Sequence, residues 1–122
     1  MVARLCRGVT GTDKADEYLT SLTRTWARDC MRKAGSRGVG VLRRVQGHLA
    51  EFILVSLWDS LDSIQDFAGA DIERAACQPE GRDLLAAIKP TVEHFEVLSL
   101  RLDQGETRRA YGLEQFMLFP LG

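Results

Sequence analysis

The chain has 122 residues, a length typical of one domain, and it is 45% hydrophobic and 27% charged. Its net charge of −1 at pH 7 gives no electrostatic basis for binding nucleic acid or an anionic membrane surface. The first residues lack an apolar core of signal-peptide length, and no apolar run approaches the roughly 20 residues that span a bilayer. Three widely spaced cysteines argue against a disulfide framework. We expect a cytoplasmic, single-domain protein without a nucleic-acid or membrane partner.

The first half of the chain predicts a strand, a helix and a hairpin. Val2 to Val9 reads as a strand, and Thr12 or Asp13 is expected to cap the helix that follows. Gly35 stands where a helix end favours a left-handed residue, and Arg37 to Gln46 then reads as a second strand. Apolar residues recur at helical spacing between these strands: Ala15, Tyr18, Leu19, Leu22, Trp26 and Cys30.

The central strand that follows the Gly47-His48 turn is apolar on both faces. One face carries Ala50, Phe52, Leu54 and Trp58, and the other carries Leu49, Ile53, Val55 and Leu57. An antiparallel strand of a small domain normally keeps one face in water. The helices of this chain can cover one face, so a second copy of the protein is expected to cover the other. A bare four-stranded face would expose on the order of several hundred Å² of apolar surface.

The second half of the chain predicts two more helical segments and a last strand. Ser60 is expected to cap a helix that buries Leu61, Ile64 and Phe67 and stops at Gly69. Another helix is predicted between Pro79 and Pro90, and a strand from Val92 to Leu102. The order βαββαβ is that of a ferredoxin-like α+β domain, with an antiparallel sheet and helices on one face.

The C-terminal residues form a separate segment. We place the domain at residues 1–102 and a C-terminal extension at 103–122, because 103–109 is polar and reads as a linker. Residues 111–121 are too apolar for a free terminus, and exposed apolar patches usually mark a contact. The extension is therefore expected to dock on its own subunit or on the partner subunit, with a disordered tail as the alternative.

The order of these elements is also characteristic of a known family. The run from Glu51 to Ala76, the strand ending at Arg7-Gly8, the helix with Tyr18 and the strand Val92 to Val97 resemble the antibiotic biosynthesis monooxygenase family. That family also contains the haem-degrading monooxygenases. The resemblance covers about residues 2–100. It implies a homodimeric α/β barrel and a monooxygenase activity.

The space between the sheet and its helices is where this fold holds ligands, so we look there for a site. Tyr18, Trp26, Trp58 and Phe67 are candidates to line it, with a purely structural role in the core as the alternative. His94 and Glu96 share one face of the last strand. If that face is inward, His94 is a candidate base. The alternative is a hydrogen-bonded pair that only stabilises the barrel. Arg7, Arg43 and Arg44 are candidates to neutralise an anionic ligand, or are simply solvated.

The sequence predicts no metal site and no cofactor. His48 and His94 lie in different elements, and no Cys-x-x-Cys or His-x-x-x-His spacing occurs. The resemblance implies that haem-degrading members carry an aromatic residue and, ten residues later, an iron-ligating histidine. Phe67 and Cys77 occupy those positions here. The chain also contains no asparagine, which those enzymes need on the first strand. A Cys77 thiolate is the one remaining candidate haem ligand.

Three functions are compatible with this reading. The leading hypothesis is a cofactor-independent, monooxygenase-like protein that acts on a small aromatic or polyketide-type substrate, with His94 and Trp58 as catalytic candidates. Ligand-binding candidates are Tyr18, Trp26, Phe67, Glu96 and Cys77. The alternative is a non-catalytic protein on the same dimeric scaffold that binds a small hydrophobic or aromatic ligand or serves in a stress response. A haem-degrading monooxygenase ranks last.

Overall fold

A computed structural model describes residues 1–69, 71–73, 92–101 and 116–118. Its strands are β1 (Val2–Gly11), β2 (Ser36–Gln46), β3 (Leu49–Trp58), β4 (Val92–Glu96) and β5 (Phe116–Leu118). Its helices are α1 (Ala15–Ser21), α2 (Ala27–Arg32) and α3 (Leu61–Ala68). A 3₁₀ turn, Thr12–Lys14, precedes α1, and a π-helical segment, Leu22–Trp26, joins α1 to α2. The helix predicted between Pro79 and Pro90 lies outside the described residues.

The strands form one antiparallel sheet in the order β4-β1-β3-β2-β5. The first four strands have the ferredoxin-like order, so the predicted α+β fold and antiparallel sheet are confirmed. β4 ends at Glu96, earlier than the predicted end at Leu102. β5 pairs with Gly38–Gly40 of β2 and extends the sheet by one strand. The boundary proposed near residue 102 lies next to residues that the structure does not describe, so it stays a prediction.

One face of the sheet is covered by helices and forms the core. Even-numbered residues of β3 point to this face and meet the predicted apolar stripe of α1, the π-helical segment and α2. The predicted face pattern of the central strand is therefore correct. The buried core residues are Ala15, Tyr18, Leu22, Trp26, Ala27, Cys30, Val39, Ala50, Phe52, Leu54, Trp58 and Ile64.

Local chemistry explains the ends of α3 but not the start of α1. The Ser60 Oγ accepts a hydrogen bond from the Ser63 N–H at 3.2 Å, which confirms the predicted cap. Gly69 follows the last turn with a φ of 87°, a value that favours glycine. The cap predicted at Thr12 or Asp13 is wrong. Those residues form the 3₁₀ turn, and α1 begins after Lys14 without a side-chain cap.

The opposite face of the sheet carries no helix of the described part of the chain. Here Ile53 and Val55 of β3 lie half-buried, while Leu49 and Phe95 are each 50% exposed. We call this surface the open face. It holds the odd-numbered residues of β3 and their neighbours across β1 and β4. Within the described ranges, no helix has the length and apolar character that a membrane crossing needs.

Candidate functional site

The register of the sheet places the candidate side chains in two rows on the helix-covered face. Because strand residues alternate between faces, residues two apart share a face and lie roughly 7 Å apart along the strand. We call these two sets the His94 row and the Trp58 row. The His94 row runs across four strands as His94, Arg4, Ser56 and Val39, and the Trp58 row as Glu96, Val2, Trp58 and Ser36.

Arg4 and His94 make a direct contact in the first of these rows. The Arg4 Nη1 atom lies 3.0 Å from the His94 Nε2 atom and also donates to the carbonyl oxygen of Ile72. Arg4 is only 2% exposed, although it is charged. A guanidinium can only donate hydrogen bonds. The contact therefore requires a lone pair on Nε2, which makes His94 a neutral imidazole with its proton on Nδ1.

The electrostatic surroundings of His94 favour the same neutral form. Burial lowers the pKa of His94 below its ordinary value of 6.5, and the positive charge of Arg4 lowers it further. The carboxylate of Glu73 acts in the opposite direction. At neutral pH the imidazole is therefore an unprotonated base beside a fixed positive charge.

Trp58 occupies the centre of the second row. Its side chain is 0% exposed and is stacked against the ring of Phe67, with ring centroids 5.3 Å apart and planes inclined by 29°. The indole Nε1–H has no hydrogen-bond partner among the described residues. A buried polar group without a partner is uncommon in native proteins, and it marks a place to look for a ligand.

The structure places the other aromatic candidates in the core. Tyr18 is buried and packs edge-on against Phe52, with centroids 5.0 Å apart. Trp26 is buried in the π-helical segment between α1 and α2. Both positions fit the structural role that we weighed against ligand binding. π-helical segments occur frequently at functional sites, and this one backs the core beneath the sheet.

Glu96 stands apart from the Arg4–His94 contact. Glu96 shares the inward face of β4 with His94, but it is exposed at the end of the strand. The hydrogen-bond partner that the structure shows for His94 is Arg4, and the nearby acid that acts on it is Glu73. Cys77 lies outside the described residues.

The arginines that we considered for an anionic ligand lie on the surface in ion pairs. Arg7 faces Glu93 at 3.7 Å, Arg43 faces Asp16 at 3.4 Å, and Arg44 faces Glu51 at 2.9 Å. The buried arginine is Arg4, which sequence reasoning missed. A signal was present, since Arg4 shares strand parity with Val2 and Cys6. Both faces of β1 carry apolar residues, however, so strand parity alone did not identify the face that the helices cover.

The described residues can also be tested as haem ligands. The lone pair of His94 Nε2 already accepts a hydrogen bond from a cation, and His48 lies exposed in the turn between β2 and β3. Burial raises the pKa of the Cys30 thiol, as does the neighbouring Cys6, so Cys30 is not a thiolate. Within the described ranges there is no cluster of three metal-ligating side chains. The His94 lone pair is thus engaged by Arg4 and the Cys30 thiol is protonated, so neither side chain is set up to bind haem iron.

Comparison with known proteins adds information on the fold. No family profile matches the sequence, and no curated protein matches it either. Solved structures do match. MhuD, a haem-degrader from Mycobacterium tuberculosis solved with two haems in its active site, aligns with a TM-score of 0.54 and 20% identity over 84% of this chain and 100% of its own.

Two further solved structures align in the same way. A mutant of MhuD with two manganese protoporphyrin IX molecules per active site gives a TM-score of 0.54 and 19% identity over 84% of this chain and 99% of that one. A candidate antibiotic biosynthesis monooxygenase from Bacillus cereus gives 0.55 and 12% identity over 84% and 96%. The chain therefore shares the ferredoxin-like α+β fold of these solved structures. The fold expected from the sequence resemblance is confirmed.

Proposed function

We propose that this protein is a cofactor-independent, monooxygenase-like enzyme for a small aromatic or polyketide-type substrate. The observation that carries the proposal is the Arg4–His94 contact on the helix-covered face, where a neutral imidazole lies beside a buried guanidinium. A phenolic hydroxyl that displaces the hydrogen bond from Arg4 Nη1 and enters between the two side chains loses its proton to His94 Nε2. The oxyanion that remains is stabilised by Arg4.

The reaction that follows needs only the substrate and oxygen. Ionisation of the phenol makes a ring or benzylic carbon electron-rich enough to react with O₂. For a substrate with a CH₂ group, one oxygen atom is retained as C=O and the other leaves with the two hydrogens as water, so that R₂CH₂ + O₂ gives R₂C=O + H₂O. Trp58 in the neighbouring row supplies an apolar wall for the ring.

The lowered pKa of His94 suits this role. An enzyme base must be unprotonated at the working pH, and burial together with Arg4 ensures that here. After proton transfer the imidazolium and the guanidinium are both positive. The phenolate between them offsets their repulsion, so the pair favours the ionised substrate over the neutral one.

Oxygen uptake tests the proposal. Anthrones and dihydroxynaphthalenes are suitable substrates for an oxygen electrode with catalase present. We expect His94→Ala to lower turnover by roughly a hundredfold or more and Arg4→Gln by a similar factor. Arg7→Gln, on the open face of the same strand, is the matched control and should retain full turnover. Full activity of both His94→Ala and Arg4→Gln on an accepted substrate would place the site elsewhere.

Trp58 separates binding from chemistry in the same assay. Trp58→Phe should raise KM more than it lowers kcat, because a smaller ring leaves the wall in place but reduces its contact area. If His94→Ala lowers the melting temperature with no effect on turnover, the Arg4–His94 contact is structural.

A non-catalytic binding protein is the second candidate function. The stacking of Phe67 on the fully buried Trp58 favours it, because it fills the space next to the indole. On this alternative, an aromatic ligand binds with saturation and no oxygen is consumed. The two functions are therefore distinguished by measuring binding and oxygen uptake on the same ligand.

We also propose that two copies pair through the open face. The half-buried side chains of Ile53 and Val55 lie at its centre, and Leu49 and Phe95 expose half of their surface there. Apolar surface of this extent is normally covered in solution. Pairing of two sheets through these faces completes the barrel expected of this fold.

Haem degradation makes a different prediction. The His94 lone pair is engaged by Arg4 and Cys30 is not a thiolate, so titration with haemin is expected to give no sharp Soret band at one equivalent. A tight one-to-one complex that releases iron with a reductant would favour the haem-degrading function. Cys77→Ala in the same titration shows whether a thiolate is the ligand.

A further inference from the structure

Two residues that pair at the end of the sheet each carry a buried polar atom without a partner among the described residues. Ser36 pairs with Trp58 across β2 and β3. The Ser36 Oγ atom and the Trp58 Nε1 atom are both buried, and neither has a hydrogen-bond partner among the described residues. A buried donor without a partner is destabilising. Two of them on paired residues indicate a position that an oxygen-bearing ligand can satisfy.

A positively charged basin lies beside this position. It has a volume of about 380 Å³ and is lined by Asp29, Arg32, Lys33 and Phe67. Two cations against one carboxylate leave the basin with a net positive charge. Its volume is in the range of about 300–1,000 Å³ typical of small-molecule sites.

Phe67 and the end of α2 connect the basin to the two buried atoms. The ring of Phe67 lines the basin and is stacked on Trp58. On the other side, the Ser36 N–H donates to the Lys33 carbonyl oxygen at 3.2 Å, so Ser36 lies one turn beyond the cationic residues. In the part of the chain that the structure describes, the Phe67 ring is common to the basin and the indole stack. Displacement of this ring would join them into one site.

We propose that the Trp58–Ser36 position and the basin together form a binding site for an aromatic carboxylate. The ligand's ring takes the place of Phe67 against the indole, and its carboxylate binds Arg32 and Lys33. A hydroxyl or carbonyl oxygen accepts hydrogen bonds from Trp58 Nε1 and Ser36 Oγ. The Trp58 row adjoins the His94 row, so a ligand bound here lies next to the proposed catalytic residues. In naming an aromatic acid as the substrate class, this inference rests on the proposed function. The binding site itself does not depend on catalysis.

The indole N–H signal of Trp58 reports on this site directly. The chain has two tryptophans, so a ¹⁵N-labelled sample gives two indole signals, which Trp26→Phe assigns. Titration with 2-naphthoate should shift the Trp58 signal with saturation. Ser36→Ala should weaken binding, and Phe67→Ala should strengthen it because the site is then already open. An unchanged Trp58 signal at saturating 2-naphthoate would overturn the proposal.

Charge is tested with a matched neutral probe. Arg32→Gln with Lys33→Gln should weaken 2-naphthoate roughly tenfold, the worth of two partly exposed ion pairs, and leave 2-naphthalenemethanol unchanged. Arg24→Gln with Arg28→Gln, exposed on the same helical stretch, is the control and should alter neither. Equal effects of the two double variants on 2-naphthoate would contradict a specific carboxylate site.

The outcome is independent of turnover. In His94→Ala the 2-naphthoate shift of Trp58 should persist, since that residue lies in the other row. Retained binding without oxygen uptake by any variant would refute the oxygenase proposal and leave this site standing. Oxygen uptake that is insensitive to the Arg32 and Lys33 changes, with no Trp58 shift, would refute the aromatic-carboxylate site and leave the oxygenase proposal standing.

Discussion

Arg4 donates a hydrogen bond to the Nε2 atom of His94, which must carry a lone pair. The contact therefore forms only while His94 is neutral. Protonation of His94 would replace this hydrogen bond by repulsion between two cations, one of which is buried. The carbonyl oxygen of Ile72 also accepts from Arg4, so the contact ties the segment after α3 to β1. Loss of the lone pair on His94 Nε2 would therefore affect β1, β4 and the segment after α3 together.

The stability of the protein should fall as the solution becomes acidic. The pKa of His94 is lowered in the folded state, so below about pH 6.5 the unfolded chain binds a proton that the folded chain does not. The free energy of unfolding is expected to decrease from pH 7.5 to pH 5.5 and to level off below the folded pKa. Urea unfolding measures this decrease. His94→Gln should reduce its slope, whereas exposed His48→Gln should not; equal slopes for all three proteins would contradict the assignment.

Removal of the guanidinium should move the pKa of His94 upwards. Arg4 is the second cause of the lowered value after burial, so Arg4→Gln should bring the pKa part of the way back to 6.5. The chemical shift of the His94 Cε1 proton, followed against pH by NMR, gives the value. Arg7→Gln is the control, and no change in Arg4→Gln would show that burial alone sets the pKa.

Single residues also show how far sequence reasoning reached at the candidate site. The shared face of His94 and Glu96 followed from strand parity, which is a local property. Arg4 was missed because its burial depends on which face the helices cover, and this is decided by packing across the whole sheet. The contact between Arg4 and His94 joins residues 90 positions apart, and no local pattern records it.

At the level of elements, helix ends were predictable where one side chain decides them. Ser60 and Gly69 bound α3 as expected. The start of α1 was not predictable, because Thr12–Lys14 closes a 3₁₀ turn before the helix begins. The π-helical segment was missed because its wider turns leave the apolar spacing close to that of an ordinary helix.

Ser60 gives a direct test of the capped end. Ser60→Ala should lower the free energy of unfolding by about 0.5–2 kcal/mol, because the Ser63 N–H loses its acceptor. Ser60→Asp keeps an acceptor at the same position and should retain most of the stability. Urea unfolding compares the two, and an equal loss in both variants would show that the cap has little effect.

Gly35 and Gly47 separate backbone strain from crowding. Both have a positive φ, 85° and 59°, so alanine should cost about 1–2 kcal/mol at either position from strain alone. A Cβ on Gly35 would also collide with the Ser63 side chain, whereas one on Gly47 meets nothing within 4 Å. Gly35→Ala should therefore lower the melting temperature more than Gly47→Ala. Equal losses would mean that Ser63 moves aside freely.

At the level of the whole molecule, the fold was the most predictable property. The order of the elements and the doubly apolar central strand depend on patterns that many sequences share. The alignment with MhuD shows that such a fold is kept at only 20% sequence identity. The substrate depends on a few side chains whose positions are set by long-range packing. Composition and periodicity carry no record of it.

The open face should hold two copies together. Val55 lies between Leu5 and Gly40 in the middle of the sheet, so Val55→Asp should place an unpaired charge in the interface and give a folded monomer. Leu54→Asp, one residue away on the helix-covered face, should instead unfold the chain. Light scattering measures the mass and circular dichroism the fold. A stable monomer of the unaltered protein at micromolar concentration would refute pairing.

Strand β5 has a consequence for how the protein behaves in concentrated solution. Exposed sheet edges offer free N–H and C=O groups to other chains and are common starting points for aggregation. Phe116–Leu118 occupies the edge of β2 at Gly38–Gly40, where glycines without side chains would leave the backbone unguarded. The rest of that edge carries two positively charged residues, Arg43 and Arg44, which disfavour pairing with a strand of another chain. Shortened forms that end before Phe116 are therefore expected to precipitate more readily, even though their core is intact.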